Sequence, residues 1–211
     1  METPTVRIQA NRNQILSKTK LLLALITGGM LVLQAGAADT YKIDPMHSSV
    51  AFAIRHMGIS DIRGQFRDFA GSIVLDDGAI KDATGTIQVK SINTGVQMRD
   101  NHLLKPDFFD ATNYPTITFK TKSIEQDGGH TVLIADFTMH GQTRELRLPV
   151  KVSGPVKDPQ GNVRIGLEAR AKINRKDYGI NYNTLLESGV AAVGEEVTLE
   201  INAEGVKERG R

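Results

Sequence analysis

The chain has 211 residues, with 26 Lys and Arg against 24 Asp and Glu, a formal charge of +2, and neither Cys nor Trp. A hydrophobic share of 40% and a charged share of 24% are those of an ordinary globular domain, which excludes a disordered chain, a collagen-like repeat and a disulfide scaffold. Without Cys there is no thiolate zinc site, no iron–sulfur cluster and no cysteine nucleophile.

The first 38 residues differ from the rest. Arg7, Arg12, Lys18 and Lys20 precede an apolar run over 21–33, and the small residues Ala35-Gly36-Ala37-Ala38 follow it. That order is the order of a secretory signal peptide, with cleavage after Ala37 or Ala38. The apolar run has 13 residues, against roughly 20 for a helix that crosses a bilayer. Removing 1–38 takes Lys and Arg from 26 to 22 and Asp and Glu from 24 to 23, so the mature chain carries −1. With no basic run left, nucleic acid is not an expected partner, because phosphate neutralisation needs clustered Lys and Arg. Residues 39–211 are long enough for one domain that packs without disulfides.

From there the dominant period is two. Val50, Phe52 and Ile54 alternate with Ala51, Ala53 and Arg55, and Leu146, Leu148, Val150 and Val152 with Arg147, Pro149 and Lys151. Successive residues of a strand face opposite ways, so each such segment has one apolar and one wet face. Turn signals separate the segments: Asp76-Asp77-Gly78, Asp127-Gly128-Gly129, His140-Gly141 and Asp158-Pro159-Gln160-Gly161. The pattern predicts eight strands, near 41–55, 60–75, 82–92, 115–124, 130–139, 142–153, 162–174 and 194–206. Gly64 and Gly71 interrupt the second, as bulge or corner glycines would. The stretch 97–110 reads as one or two helical turns ending near Pro106, and 175–187 as a long connection with a short helix. Eight one-face-apolar strands have two solutions, a two-sheet sandwich or a closed barrel. The inward residues are medium-sized, with no Trp to plug a barrel, which leans toward a ligand cavity.

Motifs for catalysis are missing. The five His, at 47, 56, 102, 130 and 140, make neither H-x-H nor H-E-x-x-H, so no metal site is expected. There is no G-x-S-x-G elbow and no phosphate-binding Gly loop, so neither an enzyme nor a cofactor is expected. His47, after Asp44-Pro45, reads as a hydrogen-bonding residue pinning the start of its strand. Arg99-Asp100 with His102 reads either as a solvated helix face with an ion pair or as a mouth whose cation meets an anionic head group. Arg63 has the same two readings.

The segment Asp44-Pro45-Met46-His47-Ser48-Ser49-Val50, with Phe52 and Arg55-His56-Met57-Gly58, resembles the opening motif of the YceI-like polyisoprenoid-binding family. Arg63-Gly64-Gln65-Phe66, Arg99-Asp100-Asn101-His102-Leu103, Asp107-Phe108-Phe109-Asp110, Tyr114-Pro115-Thr116-Ile117-Thr118-Phe119, His140-Gly141-Gln142-Thr143-Arg144 and Ile173-Asn174-Arg175-Lys176-Asp177-Tyr178-Gly179 look like its later motifs, in order, over 41–207. The resemblance implies an all-β fold: an extended eight-stranded antiparallel, lipocalin-like β-barrel with a short helical insertion, in the bacterial periplasm. It implies a carrier whose partner is a polyisoprenoid or other long-chain amphiphile. Inward Val50, Phe52, Ile54, Phe66, Ile117, Phe119, Leu133, Phe137, Leu148 and Val150 are then expected to line the tail, and Arg63, Arg99 and His102 to meet the head group. Transient contact with a membrane surface and a homodimer are further expectations. The rival readings are a quinone- or redox-linked accessory protein using the same cavity, a lipid-modifying enzyme, and a structural module with a filled core.

Overall fold

The computed structural model describes residues 38–209. Residues 1–37 of the expected 1–38 leader, with its cleavage point after Ala37 or Ala38, lie outside the described residues. Eleven strands follow in chain order: β1 (Asp39–Ile43), β2 (Ser49–His56), β3 (Ser60–Phe66), β4 (Phe69–Asp76), β5 (Ala79–Gln88), β6 (Ile92–Asn93), β7 (Thr116–Asp127), β8 (His130–Met139), β9 (Gln142–Lys157), β10 (Val163–Asn174) and β11 (Val193–Lys207). Among the described residues one α-helix, α1 (Gln97–Leu103), sits between β6 and β7.

Three of the eight expected strands are kinked, which is why eleven segments appear. β1 and β2 form one stave, since both pair antiparallel with β11. β3 and β4 form the next, paired with β2 and β1 respectively. β5 and β6 form a third, paired with β4 and β3. The order β1-β4-β5-β7-β8-β9-β10-β11 closes through β1–β11, with Tyr41 opposite Lys207, so the sheet is a closed eight-stave antiparallel barrel and not a sandwich. Closure leaves no long free edge in the ring.

Turn chemistry fixes the register. Asp77-Gly78, Gly128-Gly129 and His140-Gly141 are two-residue loops with φ positive at both positions, the geometry that matches strand twist in a tight hairpin. The first kink is built by Asp44-Pro45-Met46-His47-Ser48. Asp44 Oδ1 accepts from the Met46 N–H at 3.0 Å, and Asp44 Oδ2 lies 2.8 Å from His47 Nδ1. The Ser48 hydroxyl donates to the Asp44 carbonyl at 2.7 Å and accepts from the Glu204 N–H at 2.9 Å, tying the kink to β11. Arg164 of β10 then gathers three carboxylates, Asp44 and Asp158 at 2.8 Å and Glu204 at 3.2 Å. This opening motif is a structural corner.

Gly64 and Gly71 are not bulges. Each lies inside a strand and permits close approach: a Cβ on Gly64 would meet the Phe52 ring at 2.4 Å, and one on Gly71 the Thr84 carbonyl at 2.4 Å. The one offset in this wall is between β4 and β5, where Val74 faces Asp82 but Leu75 faces Ile80. Lys81 is the extra residue, and its insertion turns Ile80 inward beside Leu75.

Candidate functional site: an apolar cavity with a cationic mouth

The barrel encloses a cavity of about 390 Å³, within the usual span for small-molecule sites of roughly 300–1,000 Å³. Nine of the ten residues expected to line a tail border it. Their positions follow from alternation: Phe52 and Ile54 on β2, Phe119 on β7, Phe137 on β8 and Leu148 on β9 all point inward. Val150 is the exception. It faces the interior, buried at 7% exposure, but sits one layer beneath the cavity among the residues that close it. Aromatic rings form much of one side, with Phe52–Phe66 centroids 5.7 Å apart and Phe66–Phe109 6.0 Å apart in an edge contact.

One end is open and polar. His56 ends β2, Arg99 and His102 project from α1, and Arg175 opens the short 3-10 turn Arg175–Tyr178 after β10. Arg55 also borders the space, while its guanidinium pairs outward with Asp61 at 3.2 Å. No Asp or Glu lines the cavity among the described residues, whereas three Arg and two His do.

Arg99 and Arg175 are each held in place. Arg99 donates from Nε to the Thr94 hydroxyl at 2.7 Å and from Nη2 to the Thr94 carbonyl at 2.9 Å. Asp100, 5% exposed, accepts from the Thr94 N–H at 2.9 Å and the Thr94 hydroxyl at 2.5 Å. Arg99 and Asp100 are therefore not an ion pair on a wet helix face; both clasp Thr94 and lock α1 to the end of β6. Arg175, 3% exposed, gives its donors to three backbone carbonyls: Ile180 at 2.7 Å, Gly194 at 2.8 Å and Val193 at 3.3 Å. Burial pushes its pKa down, partly offset by Glu195, yet a guanidinium so far above neutrality stays charged.

Two caps meet across the mouth. One is α1 with the turn after it; the other is the loop 179–192. Tyr182 of the loop packs on His102 at 5.3 Å and on Phe108 at 4.7 Å, and His102 reaches Asp107 at 3.3 Å. The loop is a small hairpin, with Leu185 bridged to Ala191, and its base is tied to the β2–β3 turn by the Met57 N–H donating to the Ala192 carbonyl at 2.9 Å. Apolar side chains crown the same end: Ile59 is 77% exposed, Met98 81% and Leu185 71%, with Met57, Val96 and Val190 beside them in sequence.

Arg63 does not belong to the mouth. On β3 it stands between inward Ile62 and Gly64, so alternation turns it outward, where it meets Glu200 at 3.7 Å. Sequence reasoning missed His56, Arg175 and Tyr182. His56 has the inward parity of Val50, Phe52 and Ile54, which was available as a signal; the other two lie off the strands, where no period applies.

Relatives place this architecture. The YceI-like domain family matches residues 41–205. Protein YceI of Shigella flexneri is 36% identical over 196 residues, covering 90% of this chain and 99% of that protein, and Protein YceI of Escherichia coli O157:H7 matches to the same extent. The Campylobacter jejuni YCEI protein superposes with a TM-score of 0.63 at 29% identity, over 74% of this chain and 90% of that one. A polyisoprenoid binding domain from Saccharophagus degradans shares the fold with a TM-score of 0.62 at 16% identity, over 80% of this chain and 98% of its own. With the whole barrel matched and relatives aligned along nearly their full length, the chain belongs to the YceI-like domain family.

Proposed function

We propose that the protein is a periplasmic carrier that holds a long-chain isoprenoid, or a similar amphiphilic lipid, inside the barrel with its polar head at the mouth. One observation carries this reading: the cavity is largely apolar along its length, and among the described residues its lining holds no carboxylate, while Arg99 and Arg175 gather at one end with His56 and His102. The fold shared with a polyisoprenoid binding domain adds support.

The energetics decide what such a carrier selects. Burying a methylene from water is worth about 0.8 kcal/mol. A prenyl tail, however, comes from a bilayer, whose interior is as apolar as Leu. Transfer of the tail from bilayer to barrel is then close to neutral, so selection falls to the length of the cavity and to the head-group contacts of Arg99, Arg175, His56 and His102. The apolar crown around the mouth suits brief contact with a membrane surface, where a tail can pass without crossing water.

Native mass spectrometry of the exported protein, with organic extraction of what it carries, tests this reading and counts subunits in the same measurement. The expected result is one long-chain lipid per barrel, and its identity separates an isoprenoid from a quinone. A protein that purifies empty and takes no lipid from vesicles would end the carrier proposal.

A further inference from the structure

The cavity stops at one level around most of the wall. On five staves the last lining residue is followed, two positions further down, by a buried residue that does not line it. The steps run from Ile43 to Tyr41, Ile73 to Leu75, Leu148 to Val150, Leu167 to Ile165 and Ala203 to Gly205. On β5 the extra residue Lys81 brings Ile80 into the same layer, paired with Leu75. Tyr41, Leu75, Ile80, Val150 and Ile165 are 7% exposed or less and belong to one packed cluster, and Gly205 is buried beside them.

The floor is tight. A Cβ on Gly205 would lie 2.9 Å from the Tyr41 Cβ and 3.1 Å from Ile165 Cγ1, so the missing side chain is space that Tyr41 and Ile165 already occupy. Tyr41 is the bulkiest member of the layer and belongs to the stave that closes the barrel.

We infer that this layer, with Tyr41 as its largest member, is a ruler that sets the maximum length of the bound tail. The inference rests on the carrier reading above: a head held by cations at the mouth and a sealed floor at the other end leave a fixed length between them. One layer is two residues. At a rise near 3.3 Å and a tilt near 40°, it is worth roughly 5 Å along the axis, about one isoprene unit. Tyr41 is thus a specificity-determining residue that need not touch the head group.

The test uses two substitutions that act in opposite directions. Tyr41→Ala lowers the floor, and Ala203→Leu raises it by placing a branched side chain at the bottom of the cavity. Wild-type and variant proteins, stripped of lipid, are each offered an equimolar ladder of polyprenols in detergent micelles, and the retained members are read by mass spectrometry. The expected result is that the longest member retained grows by at least one isoprene unit in Tyr41→Ala and shrinks by at least one in Ala203→Leu. General loosening of the barrel cannot mimic opposite shifts, and Ala203→Leu decides the matter alone if Tyr41→Ala does not fold. An unchanged cutoff in both folded variants overturns the ruler and leaves the carrier intact. A wild-type protein that retains no member of the ladder overturns both.

Discussion

Single residues carry two separate jobs, and their chemistry predicts how each fails. Arg175 joins β10 to the loop over the mouth through three carbonyls. Arg175→Met leaves those acceptors without partners in a buried place, at a cost of about 1–3 kcal/mol, read as a lower midpoint in urea. Arg175→Lys should not restore it, because an ammonium lacks the planar fork that reaches three acceptors. Arg164 works at the opposite end. Its hydrogen bonds, first among the causes, hold Asp44 and Asp158 at about 2 against an ordinary 3.8, with His47 adding to the effect at Asp44. A carboxylate with a depressed folded pKa stabilises above its unfolded value and loses that contribution as pH falls through the folded value. The melting temperature should therefore fall as pH drops from 3.8 to about 2, and Arg164→Met should flatten that slope while lowering stability at neutral pH. Much of this is hidden from a sequence reading. Alternation names the face a residue points to, and on that ground Arg63 was already an outward position beside Ile62. It does not name the depth, which is why Val150 reads as lining when it lies under the cavity.

At the scale of elements, the two caps behave as separate parts joined by a few rings. The helix was legible because Leu103, Leu104, Phe108 and Phe109 break the period of two, and Pro106 forbids continuation; α1 ends at Leu103, within the expected 97–110. The kinks were legible only in part: Gly64 and Gly71 mark the second segment as interrupted, but the break falls at Arg67-Asp68, and the available signal was a switch of inward parity, from Tyr41 and Ile43 to Val50 and Phe52 and from Ile62 and Phe66 to Ile73 and Leu75. Nor was the role of the loop 179–192, whose fold depends on partners in the β2–β3 turn, β11 and α1 that sequence spacing does not reveal. Tyr182 is the contact between loop and helix. Tyr182→Ala should leave the barrel's melting temperature within about 1 kcal/mol equivalent of wild type, as surface changes usually do, while speeding release of a fluorescent lipid several-fold in stopped-flow exchange. Equal release rates would show that the aromatic contact does not hold the mouth shut.

For the whole molecule, the asymmetry of its ends is the informative property: a packed, ion-paired base and a crown of apolar side chains around an opening. Ile59→Asp combined with Leu185→Asp should slow pickup of lipid from vesicles while leaving the protein folded and its existing cargo in place; unchanged pickup would assign the crown no part in membrane contact. The seam that completes the barrel has a different consequence. β1 pairs with β11, and the Lys207–Asp39 ion pair across it at 2.6 Å joins positions 168 apart in the chain. Without Val193–Lys207, both neighbours of that ribbon, β10 and the β1–β2 stave, keep one edge unpaired, although each has a partner on its other side. Ring closure therefore waits for β11, and a chain in which that ribbon is missing or undocked leaves two strand edges open to non-native pairing.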